Sequence, residues 1–170
     1  MAAETPLNLA VVTVSDTRTA ETDTSGALLA EKLQAEGHKL HSMNIVKDDV
    51  YLLRALVSKL IADPEVQGIL TTGGTGFTAR DNTRKAITPL FDVEIEGFGE
   101  LFRQISFTEI GSSTVQSRAF GGLANSTVVF CLPGSTGACR TGWDHIIREQ
   151  LDSGHKPCNF AERIQPRPSS

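Results

Sequence analysis

The run VQGILTTGGTGFTARD, Val66 to Asp81, decides the architecture. Its first half, Val66 to Thr72, reads as a strand. It passes without a break into Gly73-Gly74-Thr75-Gly76, and three glycines within four residues exceed what one tight turn requires. Backbone N–H groups bind anions, and glycine lets a ligand approach them closely. With hydroxyls around it, a cation at Arg80 and a carboxylate at Asp81, the loop has the composition of a phosphate cradle.

Working outward, the same strand-then-helix unit recurs. Upstream, Leu7 to Val14 (LNLAVVTV) is a covered strand bounded by Ser15-Asp16-Thr17. Asp23-Thr24 then caps a helix running to about Glu36, with Gly37 past its end. His38 to Val46 predicts a second strand. Val50, Leu53, Val57, Leu60 and Ile61 form one helical face that stops at Asp63-Pro64. Downstream, the pattern weakens from Phe77 to Gly122, with a helical piece at Thr83 to Thr88 cut by Pro89 and a helix over Gly97 to Glu109. Ser126 to Leu132 is a further strand. It ends in Pro133-Gly134-Ser135-Thr136-Gly137, and a final helix buries Trp143, Ile146, Ile147 and Leu151. Strands alternating with amphipathic helices predict an α/β fold, a mainly parallel sheet sandwiched between helices. One domain is expected over 1–170, with a core of about 7–153 and a packed or trailing tail over 154–170 that holds Pro157, Pro166 and Pro168.

The 170 residues contain 39% hydrophobic and 21% charged side chains, which excludes disordered, membrane-spanning and coiled-coil classes. Sixteen Lys and Arg against twenty Asp and Glu give a net charge of −4, without the basic excess a nucleic-acid binder needs. Cys131, Cys139 and Cys158 lack metal-site spacing and read as small apolar residues. The first residues, Met1 to Pro6, show no basic n-region or apolar run, and no stretch is long enough to span a membrane; a cytoplasmic protein is expected. His38 and His41 sit three apart on the second strand and should face opposite sides, which disfavours metal chelation by the pair.

In an open α/β sheet, ligands bind beyond the carboxyl ends of the strands. Three loops belong there: Ser15 to Gly26, Gly73 to Arg84, and Pro133 to Arg140. Gly74-x-Gly76-x-x-Ala79 matches a degenerate dinucleotide fingerprint, but Asp81-Asn82 and Pro89 leave no room for the long helix it needs. Gly134 to Thr141 resembles a P-loop in which Cys139 replaces the second glycine and Arg140 the lysine. Ser135 and Thr136 there serve either an anion site or ordinary helix capping. Arg80, Arg84 and Lys85 against Asp81 make 71–85 locally basic, suited to an anionic ligand. A carboxylate beside phosphates is repulsive unless a cation lies between them, and Mg²⁺ typically joins one or two carboxylates to substrate phosphates. Asp48 or Asp49 would supply the second carboxylate, or else both cap the following helix.

From about Leu7 to Phe160 the chain resembles the molybdenum cofactor biosynthesis family of MoaB and MogA. The match is carried by Ser15 with Arg18, Asp23-Thr24-Ser25-Gly26, Thr72-Gly73-Gly74-Thr75-Gly76 followed by Asp81, Glu96-Gly97-Phe98, Ser117-Arg118-Ala119 and Leu132-Pro133-Gly134-Ser135. Ile45-Val46-Lys47, Gln116-Ser117-Arg118 and Pro133 to Arg140 look closest to the MoaB branch. The resemblance implies a three-layer α/β/α fold, a homotrimer or homohexamer, contact with other cofactor biosynthesis proteins, and adenylylation of molybdopterin by Mg-ATP with release of pyrophosphate. It implies Asp81 and Asp48 as metal-binding and catalytic carboxylates, and Gly73, Gly74, Thr75, Gly76 and Ser135 as contacts to nucleotide or pterin phosphate. Ser15, Asp23, Pro133, Gly134 and Thr136 join that binding set, and Arg80 or Arg84 would stabilise charge. A phosphate monoester is already an anionic nucleophile, which agrees with the absence of a catalytic triad. The alternatives are a non-catalytic molybdopterin-binding protein of the same fold and, on the glycine fingerprint alone, a nicotinamide oxidoreductase.

Overall fold

The computed structural model describes residues 5–164. Six strands form one sheet in the order β2-β1-β3-β6-β5-β4: β1 (Asn8–Val14), β2 (Lys39–Val46), β3 (Gly68–Thr72), β4 (Val93–Glu94), β5 (Phe120–Ala124) and β6 (Thr127–Leu132). β1 pairs in parallel with β2 and β3, and β3 with β6. β5 runs antiparallel to β6, and β4 antiparallel to β5. The helices are α1 (Thr24–Ala35), α2 (Val50–Ala62), α3 (Thr83–Ile87), α4 (Glu96–Ile110), α5 (Thr136–Gly142) and, after a π turn over Trp143–Ile147, α6 (Arg148–Gln150).

The period of two along β1 builds the three layers. Leu9 and Val11 face a core with Leu29 and Leu33 of α1, Phe98 and Phe102 of α4, and Trp143. Ala10, Val12 and Val14 face the opposite core with Leu53, Val57 and Leu60 of α2 and Ala86 and Ile87 of α3. Strands buried on both faces read as near-continuous apolar runs, and in β1, β3 and β6 the buried exceptions are threonines, Thr13, Thr71, Thr72 and Thr127. The expected strands and helices lie within about two residues of their observed bounds. β4 and β5 are additional, and the final helix is interrupted by its π turn.

The tail is packed as far as it is described. Phe160 N–H donates to Gln150 O at 2.9 Å, and Ala161 and Ile164 are buried in the main core, which therefore extends past residue 153. Pro166 and Pro168, like Met1 to Glu4, lie outside the described residues. Cys131 and Cys139 are buried small residues whose thiols burial pushes up to about 12 and about 11. Cys158 is exposed instead. His38 precedes β2, and its Nδ1 accepts from Leu7 N–H at 3.1 Å, a satisfied core histidine. Among the described residues no helix is long and apolar enough to cross a membrane.

Candidate functional site

The carboxyl ends of β1, β3 and β6 open into a cleft of about 440 Å³. The glycine loop that follows β3 is fixed on every side. Gly73 N–H donates to Leu132 O at 3.0 Å, Thr83 Oγ1 to Gly73 O at 2.8 Å, and Thr83 N–H to Gly74 O at 3.0 Å. Gly73 and Gly74 have φ of 99° and 69°, where a side chain is strained, and a Cβ on Gly73 would press on the Val14 carbonyl. The loop after β6 is tied in by Thr72 Oγ1 donating to Pro133 O at 2.9 Å and Ser25 Oγ to Gly134 O at 2.8 Å. A Cβ on Gly134 would sit 3.3 Å from Gly73 Cα, so the two loops touch backbone to backbone.

Two carboxylates lie against this loop, one at Gly74 and one at Gly76. Asp48 is 5% exposed, and its Oδ1 accepts from Asn82 N–H at 2.8 Å. Its Oδ2 lies 3.1 Å from where a Cβ on Gly74 would stand. Burial pushes the Asp48 carboxyl above the usual range, the nearby charges of Asp81 and Asp16 add to the shift, and hydrogen bonds from Asn82 oppose it. Asp81 lies against Gly76, and its Oδ2 accepts from Thr78 Oγ1 at 2.7 Å and Thr78 N–H at 2.9 Å. Those hydrogen bonds, with the charge of Arg118, hold it below the usual range. Asp49 instead caps α2, accepting from Tyr51 N–H and Leu52 N–H, so the two adjacent aspartates divide the roles left open by sequence.

Ser15, Asp23, Asp48, Gly73, Gly74, Thr75, Gly76, Asp81, Pro133 and Gly134 all line the cleft. Asp23 is also the buried cap of α1, accepting from Thr13 Oγ1 at 2.6 Å and Gly26 N–H at 2.9 Å. Arg80, Ser135 and Thr136 are not in the lining. Ser135 caps α5 through Ala138 N–H, and Thr136 shares its hydroxyl with Thr24 at 3.1 Å. Both do what capping and loop packing ask of them. Arg80 is held by Asp16. Arg84 turns away, 3.1 Å from Glu94 and stacked at 4.9 Å over the Phe120 ring, so it does not serve the cleft.

These placements overturn the expected local basicity. The lining carries one arginine, Arg18, against the aspartates Asp23, Asp48 and Asp81. Backbone amides and glycines offer an anion site, yet the walls repel an anion that arrives without a cation. Among the described residues no group of three or more His, Cys, Asp or Glu could hold a metal ion alone. The donor set of Asp48 and Asp81 nonetheless fits Mg²⁺, which is bound through one or two carboxylates and completed by waters and substrate phosphates.

Residues 10–153 match the family model described as "Probable molybdopterin binding domain". The chain belongs to the molybdenum cofactor biosynthesis family of MoaB and MogA. It is 53% identical over 160 residues to Molybdenum cofactor biosynthesis protein B of Escherichia coli K12, covering 94% of each chain. It is 46% identical to the protein of that name from Bacillus subtilis, over 83% of this chain and 84% of that one. A crystal structure of Molybdenum cofactor biosynthesis protein B superposes with a TM-score of 0.85 at 49% identity, covering 88% of this chain and 93% of the other. The tungsten cofactor synthesizing protein MoaB from Pyrococcus furiosus gives 0.76 at 38% identity, over 88% and 94%.

This family member also brings to its cleft, or against its glycine loop, residues assigned no site role from sequence, although Thr72, Gln116 and Arg118 stand in the motifs that carry the family resemblance. Gln116 lines the cleft from the 3₁₀ turn after α4, where no periodicity marks the position. Thr13 and Thr72 line it from the ends of β1 and β3. Arg118 donates to Gly76 O at 2.8 Å and lies 5.1 Å from the Phe77 ring centroid, bracing the glycine loop. The available signal for Thr13 and Thr72 was their position at the carboxyl ends of covered strands.

Proposed function

We propose that this chain is a molybdopterin adenylyltransferase of cofactor biosynthesis, taking Mg-ATP and molybdopterin and releasing adenylyl-molybdopterin and pyrophosphate. One observation carries the reading: the carboxylates of Asp48 and Asp81 lie against Gly74 and Gly76 of a glycine loop that lines the same cleft. An anion-binding backbone between two carboxylates suits a polyphosphate with its divalent cation better than either ligand alone.

An oxygen of the molybdopterin phosphate attacks the α-phosphorus of ATP; the new P–O bond forms as the bond to the β-phosphate oxygen breaks, and pyrophosphate leaves. The nucleophile is already ionised, so no side chain has to remove a proton. Gly74 and Thr75 would orient the phosphates through their backbone N–H groups, since Gly73 N–H is held by Leu132 O and Gly76 N–H by Asp81. Asp48 and Asp81 would hold Mg²⁺, which when bound neutralises charge on the phosphates. Arg18, in the lining of the same cleft, would supply positive charge, its guanidinium anchored on Thr22 O at 2.7 Å.

The test is purified protein incubated with Mg-ATP and molybdopterin, scoring pyrophosphate and the adenylylated pterin together. Stoichiometric formation of both supports the reading. Tight molybdopterin binding with neither product from folded protein would refute it and establish the non-catalytic binding protein. The nicotinamide alternative has no structural support, because only the five-residue α3 follows the glycines, after Asp81-Asn82.

A further inference from the structure

One carboxylate outside the cleft lining ties together three of the loops that build it. Asp16, after β1, accepts from Arg80 through both oxygens, Oδ2 from Nε at 3.0 Å and Oδ1 from Nη2 at 2.8 Å. The same Oδ1 accepts from Asp48 N–H, after β2, at 3.1 Å. Arg80 belongs to the loop after β3, so Asp16 stands on the middle strand of the adjacent three and reaches both neighbours. Asn82, in the same loop as Arg80, also holds Asp48: its N–H donates to Asp48 Oδ1 and its side-chain amide to Asp48 O at 3.3 Å. Arg80, Asp16, Asp48 and Asn82 thus form a chain of hydrogen bonds whose two ends belong to one loop, with Asp81 between Arg80 and Asn82 in sequence.

We propose that Asp16 is a positioning residue for the cleft, and that Arg80 serves the site by gripping Asp16 instead of touching the ligand. The ion pair itself is exposed, with side-chain exposures of 62% for Arg80 and 37% for Asp16, and exposed pairs add little to stability. Its consequence is geometric. The two-point fork fixes the orientation of the Asp16 carboxylate, the carboxylate fixes the backbone amide of Asp48, and that backbone sets where the buried Asp48 side chain points. Arg80 presents its Nε–Nη2 edge to Asp16, so that edge is taken.

This inference rests on the reading that the cleft takes a magnesium-bound polyphosphate, and electrostatics gives it a test of sign. Deleting an anion beside an anion-binding cleft should tighten binding; deleting a positioning group should loosen it. Mg-ATP binding is measured by calorimetry for wild type, Asp16→Ala, Asp16→Asn, Arg80→Ala and the double Asp16→Ala/Arg80→Ala variant. Each alanine variant is expected to bind about tenfold more weakly, and the double variant no more weakly than either alone. Asp16→Asn keeps an acceptor for Asp48 N–H and should recover part of the loss. Tighter or unchanged binding by Asp16→Ala, or additive losses in the double variant, would overturn the proposal. Hydrogen exchange of the ligand-free protein supplies a readout independent of ATP. Asp16→Ala should speed exchange in peptides covering both 47–49 and 76–82 while leaving β3 unchanged. A change confined to 15–18 would defeat the proposal, whereas failure of the wild type to bind Mg-ATP with the two-loop exchange pattern intact would defeat the functional reading alone.

Discussion

Gly73→Ala separates a glycine required by the fold from one that is not. At φ of 99° a side chain is strained, by about 1–2 kcal/mol if the left-handed penalty of an L residue is taken. The new methyl would also press on the Val14 carbonyl oxygen and stand 3.3 Å from its carbon. That carbonyl belongs to the central strand β1 and cannot swing aside as a side chain could, so overpacking adds roughly 1–3 kcal/mol. A total of about 2–5 kcal/mol in a chain of this size lowers the melting temperature by roughly 5–15 °C. Gly97→Ala is the control, because nothing lies within 4 Å of its would-be Cβ and its place in α4 favours alanine by up to about 1 kcal/mol. Thermal unfolding followed by circular dichroism reads both. Equal melting temperatures for Gly73→Ala and wild type, or equal damage from both substitutions, would refute the steric argument.

Asp81→Asn should fold normally and lose turnover by roughly 10²-fold or more, since it keeps its hydrogen-bond acceptor but not its charge; wild-type pyrophosphate release would remove Asp81 from the chemistry. Asp48→Asn should show the opposite signs in stability and function. A carboxyl raised by burial contributes stability below its ordinary value of 3.8 that is lost as pH rises through the folded value, so ionised Asp48 weakens the fold at neutral pH. The melting temperature of Asp48→Asn relative to wild type should therefore rise between pH 4 and pH 7 while Mg-ATP binding falls; a relative drop over that range contradicts the burial argument. Thr83→Val, which strips the donor from Gly73 O at a fully buried position, should cost about 1–3 kcal/mol in urea unfolding, and a neutral effect would mean the loop does not depend on that bond. Chelation with EDTA should abolish ATP binding detected by calorimetry; full affinity for metal-free ATP would show that the aspartates do not govern the cleft.

The parallel half of the sheet was legible because a strand covered on both faces is built mostly of apolar and β-branched residues. β1, β3 and β6 are mostly apolar and β-branched residues followed at once by Ser15, Gly73 and Pro133, and those endings are where the cleft lies. The antiparallel half was hidden for an equally physical reason. β5 reads Phe120-Gly121-Gly122-Leu123-Ala124, and two consecutive glycines look like a turn. They are there because a Cβ on Gly121 would stand 2.9 Å from Val129 O and one on Gly122 would meet the Phe91 ring. Close packing against a neighbour unknown to the local sequence replaced the β-branched pattern. β4, at two residues, is too short to carry any period.

Charge was the reading that long-range structure reversed. Summed along 71–85, Arg80, Arg84 and Lys85 outweigh Asp81, but a sum along the chain assigns every charge to its own segment. The fold instead gives Arg80 to Asp16, 64 residues away, and Arg84 to Glu94 in β4. It also brings Asp48 and Asp23 from separate loops to the mouth of the glycine loop. The same backbone that would bind phosphate unaided in a basic cleft is thereby surrounded by carboxylates. The preference for a cation-carrying ligand therefore belongs to no single motif: it arises where Asp48, Asp81 and the glycine loop are held against one another, and the Asp16 strap is what spans the loops that hold them.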